Sequence, residues 1–186
     1  MGQIIVSENV TLDGVGQDPT GEEGFDRGGW FTRISDADRS AWTEAEQAEA
    51  MAATALLLGR RSHDWFATRW ASRTGEWADR LNTMPKYVVS TTLHEPSWAN
   101  STVVTPTEVA KLKDTVDGDI VVYASRHLVH TLLEQDLVDE VRLTVFPFVL
   151  GAGDRIFGET AHSLRLVAAR RLGTDLTFLT YRTVRF

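Results

Sequence analysis

Short apolar runs that alternate with segments of helical period constrain this chain more than any other feature. Ile4-Ile5-Val6, Ala55-Leu56-Leu57-Leu58-Gly59, Lys86-Tyr87-Val88-Val89-Ser90 and Ile120-Val121-Val122 are too short for helices and read as buried strands. Val141, Leu143 and Val145 alternate with Arg142 and Thr144, the period of a one-sided strand. Between these runs the spacing is helical. Ser35 opens a helix with Asp38 three residues on, and Trp42, Ala45, Ala48 and Ala52 give it an apolar face. Residues 62–70 and 125–135 read as further helices, the second through Leu128, Leu132 and Leu133. Such alternation predicts an α/β fold with a largely parallel sheet and right-handed crossovers. The tail, 163–171 and 176–186, reads as two strands about the turn Gly173-Thr174-Asp175. A hairpin is antiparallel, so the sheet is mixed. No repeat or linker interrupts the 186 residues, and a single domain spanning 1–186 is expected.

Composition removes several function classes. With no cysteine there is no disulfide, thiolate nucleophile or cysteine-held metal centre. Nineteen basic against 26 acidic residues leave a net charge of −7, which argues against broad nucleic-acid binding. No apolar run approaches membrane-spanning length, and the start lacks the basic and apolar regions of a secretory signal, so a cytoplasmic protein without membrane contact is expected. His127 and His130 share a helix face but have no third ligand in view, so no metal site is expected. Five acids and one base lie between 36 and 50; Asp36, Asp38, Glu44, Glu46 and Glu49 read mostly as a solvated face.

In an open α/β sheet, ligands gather where strands end and helices begin. Gly59-Arg60-Arg61-Ser62 is such a junction: glycine allows close approach, a helix N-terminus attracts anions, and two arginines offer forked donors. Tyr123-Ala124-Ser125-Arg126-His127 is a second, and Ser90-Thr91-Thr92 closes a third strand. Together they could grip a ligand with separated phosphates, such as a dinucleotide. Residues 13–29 hold six glycines and Pro19 and read as a long flexible loop able to act as a lid. Trp30 follows that loop, and Trp65 and Trp70 follow the first junction. Each reads as core or as a ring that stacks on a flat substrate.

The order of motifs resembles the dihydrofolate reductase superfamily. It runs Thr11-Leu12-Asp13-Gly14, then Leu58-Gly59-Arg60-Arg61, then Leu81-Asn82 with Pro85 to Ser90, then Leu137-Val138-Asp139-Glu140. Pro147, Leu150-Gly151-Ala152-Gly153 and Phe157 complete it. It is most similar to the branch of the C-terminal reductase domain of bifunctional riboflavin-biosynthesis deaminase/reductases. The resemblance implies a three-layer fold, a mixed central sheet between helices. It implies NADPH as hydride donor, a pterin-like or aminopyrimidine-like acceptor, and a homodimer. It places Gly59, Arg60, Arg61 and Ser62 on the pyrophosphate and 2′-phosphate, and Ser90, Thr91 and Thr92 by the adenine ribose phosphate. Ala124, Ser125, Arg126, His127 and Leu128 would line the second phosphate junction. Asp13 and Gly14 would lie beside nicotinamide and substrate, with Gly151 and Gly153 nearby and Asp13 polarising or protonating the acceptor. Asp13-Gly14 is equally a turn signal. Alanine stands at 124 where the family usually has glycine, and its methyl would crowd the pyrophosphate. The alternative reading is a non-catalytic nucleotide-binding or interaction protein that keeps the fold.

Overall fold

The protein is described here by a computed structural model covering residues 1–184; the last two residues of the expected terminal strand, Arg185 and Phe186, lie outside the described residues. Eight strands form one sheet: β1 (Gln3–Thr11), β2 (Ala55–Gly59), β3 (Lys86–Val89), β4 (Ser101–Val104), β5 (Asp119–Tyr123), β6 (Glu140–Phe146), β7 (Ser163–Leu172) and β8 (Leu176–Val184). Their order is β4-β3-β2-β5-β1-β6-β8-β7. All neighbours up to β6 are parallel, and β8 and β7 close the sheet antiparallel. Among the described residues five α-helices flank it: α1 (Asp36–Ala52), α2 (Arg60–Trp70), α3 (Glu76–Thr83), α4 (Val109–Thr115) and α5 (Arg126–Glu134).

The continuous apolar runs follow from burial on both faces. Ile4, Val6, Leu57, Ile120 and Val122 pack under α4 and α5. Ile5, Leu56, Leu58 and Val121 face the layer of α1, α2 and α3. Helix α1 begins as its sequence predicts: the Ser35 hydroxyl accepts the Asp38 N–H at 3.1 Å. The acids of α1 are less solvated than expected. Asp36 and Glu44 are exposed, but Asp38 is buried and accepts the N–H groups of Thr174 and Asp175 at the β7–β8 turn, and Glu49 is buried against Arg142 at 2.8 Å.

Three elements carry no strong sequence signal: α3, α4 and the four-residue edge strand β4. Buried Lys86 ties α3 to β3, its ammonium donating to the carbonyls of Leu81 and Met84 at 2.7 and 2.8 Å. Those carbonyls end α3 and lack helical partners.

Residues 13–29 are not the loose loop that their glycine content predicts. Asp18 is fully buried and its carboxylate accepts the N–H groups of Glu23 and Phe25 at 3.0 and 3.1 Å. Its carbonyl accepts those of Gly21 and Gly29. A Cβ on Gly28 would meet the Asp18 carboxylate at 2.4 Å, so this glycine serves close packing rather than freedom. Trp30 closes the segment. Its ring is fully buried edge-on to Phe146 at 5.1 Å, and its N–H donates to the Gln17 carbonyl. The substrate-stacking role is therefore corrected for Trp30, which is core.

Candidate functional site

Strands β2 and β5 are neighbours, and each ends by feeding a helix. The Gly59 N–H donates to Ser125 Oγ at 3.0 Å, which joins the two junctions. Neither α2 nor α5 has a side-chain cap at its N-terminus. The N-termini of the two helices thus lie side by side, and first-turn N–H groups that no side chain caps favour an anion. The join needs an unusual backbone. Ala124 and Ser125 are both left-handed, with φ of 51° and 66°. Such residues cost about 1–2 kcal/mol each and cluster where ligands are held.

Two cavities flank this point. An apolar slot of about 230 Å³ lies between the end of β3 and α5, lined by Gly59, Val89, Val109, His127 and Leu128. Beside the β2–α2 junction, Arg60 Nη1 donates to Thr92 Oγ1 at 3.1 Å, with Asp64 3.8 Å from Nε. Ser90 Oγ accepts the N–H groups of Thr92 and Leu93, which fixes the turn that carries exposed Thr91. Gly59, Arg60, Thr92, His127 and Leu128 are therefore gathered as expected. Arg61 and Ser62 are not on that side. They line the second, larger cavity, so the paired arginines serve two compartments.

The larger cavity, about 320 Å³, opens where β1 outruns β5. Pairing of β1 with β5 stops at Ser7–Tyr123, while β1 continues along β6 to Thr11. Glu8 is the first residue past that divergence. Trp42, Trp65, Phe66, Trp70 and Trp77 form the walls, and the loop residues Gly16, Pro19 and Thr20 the cover. Trp65 and Trp70 are thus placed on this cavity.

Its deep end is acidic. Burial pushes the Glu8 carboxyl well above the usual range; Arg126 partly offsets this and Glu46 adds to it. Glu46, from α1, is raised well above the usual range by burial and by Glu49. Glu8 Oε1 is buried without a hydrogen-bond partner among the described residues. Burial, then the charges of Glu49 and Glu46, keep the Tyr123 phenol protonated. Of the five α1 acids, Glu46 lines this cavity. Glu8 is absent from the sequence reading. Its signal was a carboxylate two residues past a buried apolar run, on a strand that continues.

Three assignments change. Asp13 does not line either cavity. Its carboxylate accepts the Thr11 hydroxyl at 2.7 Å and the N–H groups of Leu150 and Gly151 at 3.2 and 2.8 Å. Those bonds, Thr11 first, lower its pKa to about 2. It is a clasp that favours the ionised carboxylate. Gly14, Gly151 and Gly153 belong to the same clasp, outside both cavities: the Gly14 carbonyl accepts the Ile156 N–H, and a Cβ on Gly153 would strike Val15 at 2.8 Å. Arg126 lines the cavity and is engaged through its two terminal nitrogens, while its Nε is buried without a hydrogen-bond partner among the described residues. It donates to the Gly16 carbonyl at 3.1 Å and to Glu23 at 3.3 Å, with Asp154 at 3.9 Å. It secures the loop.

The loop is also latched at its tip. Glu22 accepts the Trp65 indole N–H at 3.2 Å and pairs with Arg69, whose guanidinium lies 3.9 Å over the Trp65 ring. The Thr20 hydroxyl, then Trp65, then Arg69 lower the Glu22 pKa.

Comparison with known proteins points one way. The profile of the family described as RibD C-terminal domain matches residues 3–178. The uncharacterized protein YyaP of Bacillus subtilis (strain 168) is 27% identical over 190 residues, 96% of this chain and 94% of that one. A pyrimidine reductase-like protein from Corynebacterium diphtheriae superposes with a TM-score of 0.67 at 13% identity, covering 99% of this chain and 92% of that one. A Thermotoga maritima protein superposes with a TM-score of 0.61 at 13% identity, covering 98% of this chain and 57% of that one. It is described as a diaminohydroxyphosphoribosylaminopyrimidine deaminase/5-amino-6-(5-phosphoribosylamino)uracil reductase. At such identities the structural likeness carries the fold.

Proposed function

The chain belongs to the RibD C-terminal domain family, and from that membership and the geometry of the site we propose that it is an NADPH-dependent reductase of a pterin-like or aminopyrimidine-like small molecule. One observation carries the reading: two uncapped helix N-termini, joined through Gly59 and Ser125, lie between an apolar slot and an aromatic cavity. A dinucleotide needs that sequence of surfaces: an apolar place for adenine, N–H groups for the pyrophosphate, and a second chamber where the nicotinamide meets its acceptor.

The residues present fit the cofactor. The first turns of α2 and α5 would hold the pyrophosphate. Gly59 at the junction has room, its nearest non-neighbour being Ser125 Oγ at 3.6 Å from a built Cβ. Arg60 and Thr92 would hold the 2′-phosphate, where a guanidinium offers forked donors. His127 and Leu128 would flank adenine. When bound, NADPH supplies a hydride. The chain's own residues then position the acceptor and exclude water: the tryptophan walls present flat faces, the Glu22 latch covers the mouth, and Glu8 and Glu46 hold a proton at the deep end. These two carboxyl groups, not Asp13, carry acid–base work in this reading.

A homodimer is part of the proposal. Strand β7 is the sheet edge, exposed along most of its length, with Leu166 and Val167 both more than half exposed. An uncovered edge of this length, with Leu166 and Val167 exposed between Arg165 and Arg170, leaves room for a second copy. Light scattering on the full chain should give twice the monomer mass, and Leu166→Arg should halve it.

NADPH titration followed by tryptophan emission tests the reductase reading. Quenching at micromolar NADPH, weakened about tenfold or more in Arg60→Ala and with NADH, is the expected result. No response up to millimolar NADPH would overturn it and favour the non-catalytic alternative, for which the Ala124 methyl lining the larger cavity beside the junction speaks.

A further inference from the structure

We propose that Asp64 is a specificity-determining residue that restrains the preference for NADPH over NADH, by engaging the guanidinium of Arg60 and fixing a negative charge beside the place of the 2′-phosphate. The place of that phosphate rests on the reductase reading above, in which Arg60 and Thr92 receive it.

The carboxylate and the guanidinium meet by helix geometry. Arg60 and Asp64 are four residues apart on α2 and so share one face. Asp64 Oδ2 lies 3.8 Å from Arg60 Nε, while Arg60 Nη1 donates to Thr92 Oγ1 at 3.1 Å. The side of the guanidinium that carries Nε therefore already faces an anion. A phosphate that takes a forked pair of donors must share the group with Asp64 or displace it.

Displacement is resisted from below. Asp64 Oδ1 lies 3.1 Å from His63 Nδ1, and His63 Nε2 lies 3.2 Å from Ser101 Oγ on β4. The His63 side chain is fully buried, with its ring 6.2 Å from that of Trp98. A neutral imidazole with its proton on Nδ1 donates to Asp64 and accepts the Ser101 hydroxyl, which satisfies both nitrogens. An ordinary surface carboxylate swings freely; this one is tied through a buried ring to the edge strand.

The two cofactors feel this carboxylate differently. A phosphate monoester carries about two negative charges near neutral pH, and Asp64 repels them. NADH has a ribose hydroxyl at the same place, which can donate to a carboxylate. An acid on that hydroxyl and an arginine on that phosphate are the opposed devices by which dinucleotide-binding folds tell the two apart. Here one of each stands on the first two turns of α2. Both side chains are about half exposed, at 51% and 52%, so water screens the pair and the effect is modest.

Titration of the full chain with NADPH and with NADH, followed by tryptophan emission, gives the ratio of the two dissociation constants. Asp64→Asn should shift that ratio about three- to tenfold further towards NADPH. The gain should come from tighter NADPH binding, with NADH unchanged or weaker. Asp64→Ser, which removes the reach as well as the charge, should act in the same direction. A merely structural role would move both cofactors together. An unchanged ratio, a shift towards NADH, or an equal change for both cofactors would overturn the proposal, and with NADPH still bound it would sink this inference alone. A ratio that rises as expected in a protein that reduces no acceptor upholds the role of Asp64 and favours the non-catalytic nucleotide-binding alternative. Failure to bind either dinucleotide overturns both readings.

Discussion

Glu22 in the loop after β1 and Trp65 on α2 meet across the mouth of the aromatic cavity, with the indole N–H 3.2 Å from the carboxylate. Arg69 completes the clasp from the same helix. Glu22→Ala should free the tip while the Asp18 hub keeps the rest of the segment folded. Hydrogen exchange should rise at 20–23 and stay slow at the Gly28 and Gly29 amides. Ligand release from the cavity should quicken by about three- to tenfold, because the latch is exposed and such pairs are individually weak.

Asp13 stabilises through its charge. Its folded pKa of about 2 is below that of an unstructured aspartate, so its contribution is present above about pH 4 and is lost as the pH falls through 2. Asp13→Asn should lower stability at neutral pH by about 1 kcal/mol, since the Leu150 and Gly151 N–H groups lose a charged acceptor. The gap between variant and parent should close under acid. Because Asp13 is not the proton source in this reading, the pH profile of turnover should keep its shape.

Glu8→Gln should show the opposite sign. The folded state holds the Glu8 proton more tightly than the unfolded chain does, so stability declines as the pH rises above the ordinary carboxylate range. Glutamine carries no such penalty. Thermal melts should show the variant about 1 kcal/mol more stable near pH 8 and almost level with the parent near pH 5, together with weaker binding in the cavity.

Ala124→Gly removes a left-handed alanine. The gain should be about 1 kcal/mol, or a rise of about 2–4 °C in Tm for a chain this long. If the methyl crowds the pyrophosphate, NADPH should bind the variant more tightly. An unchanged melting temperature would show that the backbone relaxes locally around the alanine.

The parallel sheet was legible because β2 and the Ile120–Tyr123 stretch of β5 are buried on both faces and therefore carry unbroken apolar runs. The terminal hairpin was legible from Gly173, which adopts φ of 56° at the turn. Helix α3 and strand β4 were not. Their stability comes from distant partners, such as Lys86 under α3 and the Asn82 carboxamide holding the Trp98 indole at 2.7 Å. At the site, the two strand-to-helix junctions could be read because helix N-termini follow strands in sequence. The two acids could not, since Glu8 on β1 and Glu46 on α1 come to line one cavity only in the folded chain. Glycines 14–29 misled for a related reason: their number suggested looseness, and only the fold reveals buried Asp18 drawing them together.

Arg60 and Arg61 are adjacent on the first turn of α2, yet one stands with Thr92 and the other borders the tryptophan-walled chamber. Two neighbouring codons thus address separate rooms of the molecule. A substitution at one can alter its own compartment and leave the other as it was, and neither change requires the scaffold between them to be rebuilt.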